Sequence, residues 1–105
     1  MIREGAAMAL IHSEQTDDLF RAVLSLRSVE ECYRFFEDLC TVKEVLALSQ
    51  RMEVARLLRA GGTYHETIAG TGASSATISR VKNSLNYGAG GYKLVLERLS
   101  GEENT

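Results

Sequence analysis

Three times between Ser28 and Glu66 a hydroxyl residue is followed three places later by a glutamate: Ser28-Val-Glu-Glu31, Thr41-Val-Lys-Glu44 and Thr63-Tyr-His-Glu66. This is the capping-box pattern, in which the hydroxyl takes a free backbone N–H of the first helical turn and the carboxylate reaches back to the cap. A chain that opens helix after helix in this way, and that contains no proline, is confined to an all-α fold with few breaks. Glycine supplies the breaks, at Gly61-Gly62, at Gly70 and Gly72, and from Gly88 to Gly91.

Between the caps, apolar residues recur at helical spacing. Leu19, Phe20, Val23 and Leu24 form one stripe, and Val29, Cys32, Tyr33, Phe36 and Leu39 a second. Val45, Leu48, Met52, Ala55 and Leu58 carry a third up to Ala60. Ile78, Val81 and Leu85 follow a Ser74-Ser75 cap, and Tyr92, Val95, Leu96 and Leu99 form a last amphipathic helix. The expectation is about six helices in one domain over residues 13–99. Residues 1–12 read as an N-terminal arm, ordered or not, and residues 100–105 as a polar, frayed tail. Amphipathicity alone leaves open whether the first two apolar faces cover a monomer core or a dimer interface.

The 12 basic and 14 acidic residues give a net charge of −2, too little field to draw in a polyanion from a distance. The distribution is uneven. Residues 1–50 carry five basic and nine acidic groups, whereas residues 51–85 carry five basic and two acidic, a local positive patch. Cys32 and Cys40 on one helix would lie ~12 Å apart along its axis, too far for a disulfide. With His12 and His65 distant in sequence, no metal site is expected. No apolar run approaches the ~20 residues of a membrane span, and the start is a poor signal peptide, so the cytoplasm is expected. Glu37, Asp38 and Glu44 read as solvated helix-surface acids, and no nucleophile, base and orienter share a spacing. No enzyme activity, catalytic residue or cofactor is expected.

The informative segment is 63–86: a short helix, a glycine turn and a capped second helix, the helix-turn-helix pattern. A helix that enters a major groove ~12 Å wide needs a short-side-chain tip. Ser75, Ala76, Thr77 and Ser79 are all small, and Arg80 and Lys82 add charge for the phosphate backbone. The plainer reading is a helical hairpin whose small residues are only caps.

The stretch Ala76-Thr-Ile-Ser-Arg-Val-Lys-Asn-Ser-Leu85 resembles the recognition helix of the bacterial tryptophan repressor family. The run Glu31-Cys-Tyr-Arg-Phe-Phe-Glu-Asp-Leu-Cys-Thr41 looks still more like the tryptophan-repressor-related YerC/YecD group. So do Gln50-Arg51, Thr63-Tyr64, Gly72-Ala-Ser74, Asn86-Tyr-Gly88 and Gly91-Tyr92. The resemblance spans about residues 17–99. It implies an intertwined homodimer whose first helices interlock and whose two helix-turn-helix heads reach double-stranded DNA in successive major grooves, ~34 Å apart. It implies DNA contacts at Ser75, Ala76, Thr77 and Ser79, and a phosphate-side position at His65. It implies an effector pocket at Thr41, Arg51, Arg80 and Ser84. Two departures stand out. Thr67 occupies an apolar place, with Ile68 after it, which suggests a rotated or irregular helix. Val81 replaces a glycine that leaves room for an indole, which argues against tryptophan as the effector. The function expected is a sequence-specific transcription regulator, a repressor. The alternative is a dimeric helical adaptor without specific DNA binding.

Overall fold

A computed structural model describes residues 11–103; the proposed arm lies outside the described residues from Met1 to Leu10. Six helices follow in order: α1 Glu14–Leu24, α2 Val29–Leu39, α3 Val42–Arg59, α4 Tyr64–Thr71, α5 Ser75–Tyr87 and α6 Gly91–Glu103. No strand occurs among the described residues.

The three capping boxes each start a helix, and each closes differently. At Thr41 both halves form: Oγ1 accepts the Glu44 N–H at 3.1 Å, and the Glu44 carboxylate accepts the Thr41 N–H at 2.8 Å. At Ser28 the hydroxyl accepts the Glu31 N–H at 3.1 Å, but the carboxylate takes the N–H of Arg27 instead. At Thr63 the hydroxyl accepts the Glu66 N–H at 3.1 Å and donates to the Glu66 carboxylate at 3.0 Å. Helix α6 runs on through Ser100 to Glu103, past the expected end at Leu99. Gly101 lies within this extension and weakens it, but with no proline to stop the helix it continues.

The chain divides into two compact units, one through Val45 and one from Leu46. In the second, Val54, Ala55, Ala73, Ile78, Val81 and Leu96 form the core, with Met52, Leu58, Ile68, Leu85 and Tyr92 packed against it. In the first, α1 and α2 contain no buried residue. Val23, Cys32 and Phe36 are half-buried, while Leu19, Phe20, Leu24, Val29, Tyr33 and Leu39 of the predicted stripes are exposed. None of the described helices is long and apolar enough to cross a membrane.

Candidate nucleic-acid interface

The interface is built from α4, the turn after it, and α5. Gly72 ends α4 at φ +67°, a left-handed backbone that only glycine adopts without strain, and its N–H donates to the Ile68 carbonyl at 2.8 Å. Ala73 is buried, and Ser74 Oγ accepts the Thr77 N–H at 3.2 Å to open α5. Gln50 Nε2 donates to the Thr71 carbonyl at 3.2 Å, which ties α3 to the turn.

Helix α4 is neither rotated nor irregular. Thr67 is fully buried at the apolar place, and its hydroxyl is satisfied by donating to the Thr63 carbonyl at 2.8 Å. A β-branched residue with a back-bonded hydroxyl thus fills a core position without leaving a polar atom unpaired.

Helix α5 buries Ile78 and Val81, only 2% and 1% exposed. Ser75, Ser79, Asn83 and Asn86 are all exposed, and their 4, 4 and 3 spacing places them on one outward stripe. Ala76 is exposed beside it. Thr77 is half-buried, off this crest, with its hydroxyl hydrogen-bonded to Ser74 Oγ at 3.1 Å. The two asparagines were passed over in the sequence; the helical spacing from Ser75 was the signal that finds them.

A groove lies on each flank of α5. One, about 180 Å³, brings together Arg51, Arg80, Gln50 and Thr77. The other, about 380 Å³, is bordered by Arg59, Lys82 and Lys93, with Tyr64 and Asn86 in its wall and Leu58 in its floor. Arg59 Nη2 is paired with Glu97 Oε1 at 3.0 Å. Arg51, Arg80, Lys82 and Lys93 have no carboxylate partner among the described residues. Helices α1 to α4 each carry an acid in the first turn; α5 and α6 carry none. The first turns of α5 and α6 therefore hold no charge that repels phosphate.

Of the four residues expected around an effector, Arg51 and Arg80 line one groove, and Ser84, half-buried on α5, does not line it. Thr41 is the cap of α3. Val81 packs in the core cluster with Val54 and Ile78 and is not a wall of that groove either. His65 is exposed on α4, its ring edge-on to Tyr64 at 5.9 Å. No group of acids, cysteines and histidines among the described residues is arranged to hold a metal ion.

An all-α chain carrying a helix-turn-helix is the class this geometry defines. The Trp repressor protein family model matches residues 14–100, and the chain belongs to that family. It is 54% identical over 93 residues to the uncharacterized protein YerC of Bacillus subtilis (strain 168), covering 89% of each chain. Its fold is similar to that of a candidate Trp repressor from Staphylococcus aureus, with a TM-score of 0.86 and 46% identity over 89% of this chain and 93% of that one. It is equally similar to a TrpR-like protein from Eubacterium eligens, with a TM-score of 0.85 and 52% identity over 88% and 95% of the two chains.

Proposed function

We propose that this chain is a cytoplasmic, homodimeric transcription regulator, a repressor, that lays α5 in the major groove of double-stranded DNA. The observation that carries the reading is the crest of short side chains on α5 between two basic flanks. Ser75, Ala76, Ser79 and Asn83 are small enough to approach base edges, and asparagine and serine carry the donors and acceptors to read them. Arg80 on one side and Lys82 on the other face the two phosphate strands that border a groove, and His65 adds a position on α4. Family membership supports a regulatory role over an enzymatic one.

The exposed apolar residues of α1 and α2 support the dimer, because a monomer leaves them in water. A second copy of the chain covers them and sets two α5 helices about one DNA turn apart, ~34 Å. The same faces, together with the acidic excess of residues 1–50, favour the second reading, a dimeric adaptor.

The Arg51–Arg80 groove is the seat we assign to a small anionic effector. Val81 stands where the tryptophan repressor has a glycine that makes room for an indole, and it packs in the core rather than on this groove, which argues against tryptophan bound in the repressor's manner. Calorimetric titration is expected to show no saturable micromolar tryptophan binding.

A gel shift with the duplex upstream of its own gene, at two salt concentrations, tests the main reading. A salt-sensitive shift, lost in Ser79→Asp with helix content unchanged by circular dichroism, is the expected result. A dimer that shifts no duplex at low salt would leave the adaptor.

A further inference from the structure

We propose that the groove between Lys82 and Lys93 is a second seat for the DNA backbone, which makes α6 part of the nucleic-acid surface. This rests on the major-groove reading of α5 and extends it to residues outside the helix-turn-helix.

Three cations from three elements converge on this groove: Arg59 at the end of α3, Lys82 on α5 and Lys93 in the first turn of α6. They are not equivalent. Glu97 neutralises Arg59, so the guanidinium is held inside the protein's own charge balance. Lys82 and Lys93 are exposed, share the groove, and make no salt bridge among the described residues; Glu97, one turn on from Lys93, is paired with Arg59 instead. Two like charges bordering one groove repel, and an anion between them relieves the repulsion. Lys93 is also badly placed for its own helix. An ammonium in a first turn opposes the helix dipole, where an acid would help, and α6 has no acid there. The dipole of α6 therefore does not account for Lys93.

The position of the groove selects the occupant. Lys82 comes three residues after Ser79, about 60° to one side of the crest, and Arg80 lies about 100° to the other. A helix seated in a major groove has a phosphate strand along each flank. Arg80 meets one strand; Lys82, extended by Lys93, meets the other. The Tyr64 hydroxyl and the Asn86 amide line the same wall and suit phosphodiester oxygens as neutral donors, whereas the Thr63 hydroxyl is taken up by Glu66.

Phosphate contacts do not depend on sequence, so the probe is a duplex of arbitrary sequence about three helical turns long, titrated at several potassium chloride concentrations. Full-length protein, Lys93→Ala, Lys93→Arg and Ser79→Asp are compared. Lys93→Ala is expected to weaken binding severalfold and to reduce the slope of log affinity against log salt by about one, with Lys93→Arg restoring both. Lysine-reactive labelling read by mass spectrometry is expected to show Lys82 and Lys93 protected by the duplex while Lys43 stays reactive. Wild-type affinity and slope in Lys93→Ala, alongside a Ser79→Asp variant that has lost binding, would overturn this inference and leave the reading of α5 standing. No binding by the unsubstituted protein at low salt would overturn both.

Discussion

Helices α1 and α2 carry the cleanest apolar stripes in the chain yet contain no buried residue, whereas α4 and α5, with shorter and more broken stripes, bury Thr67, Ile78 and Val81. Leu24 is 84% exposed and Ile78 2%. A strong stripe therefore measures how much apolar surface a helix has to cover, and says nothing about whether its own chain covers it. In the second unit cover comes from neighbouring helices that the glycine turns fold back. In the first, six apolar residues from Leu19 to Leu39 are left exposed.

The comparison breaks most directly in the core. Ile78→Ala is expected to cost ~2–5 kcal/mol, because it removes a buried side chain and leaves a cavity; denaturant unfolding measures it. A cost near that of a surface change would mean the second unit lacks the core described here. Leu24→Asp is the counterpart in α1. It is expected to weaken self-association by about 2 kcal/mol or more, roughly thirtyfold, as read by sedimentation, with little loss of helix content. An unchanged oligomeric state would show that the exposed stripe serves something other than a second copy.

Gly72→Ala comes next. A left-handed backbone costs an L-residue ~1–2 kcal/mol, and no neighbour within 4 Å adds a clash. The expected result is a lower melting temperature together with weaker DNA binding, since the turn aims α5. The smallest effect concerns Glu44. Its hydrogen bonds, first from the Thr41 backbone N–H and then from the Thr41 side chain, hold its carboxyl below the usual 4.5. A carboxyl depressed on folding stabilises above its unfolded pKa, and that contribution disappears as pH falls through the folded value. The stability difference between wild type and Glu44→Gln should thus be present at pH 7 and shrink as pH drops below about 4.5. A difference that does not shrink as the pH is lowered through the acid range would rule out the carboxylate as its source.

Much of the interface was readable from residue order. Ser74, Gly72 and the small residues after them announce a capped helix behind a tight turn, because caps and left-handed turns are set within a few bonds. Thr67 looked like a defect in the pattern, yet its hydroxyl bonds four residues back along its own helix. Thr77, expected at the DNA, is half-buried beside the stripe of Ser75 and Ser79, where helical phase puts it, and lines the groove with Arg80. The convergence of Arg59, Lys82 and Lys93 had no signature in the chain. Arg59 and Lys93 are far apart in sequence, and their charges meet only because α3 and α6 both pack near α5.

Helix count, helix starts and the turn between α4 and α5 follow from residue order alone, since hydrogen-bonding caps, glycine and the absence of proline act over a turn or less. Which stripes are buried, which cations share a groove and which carry no partner were decided by the packing, since burial and Coulomb interactions depend on distance in space and not along the chain.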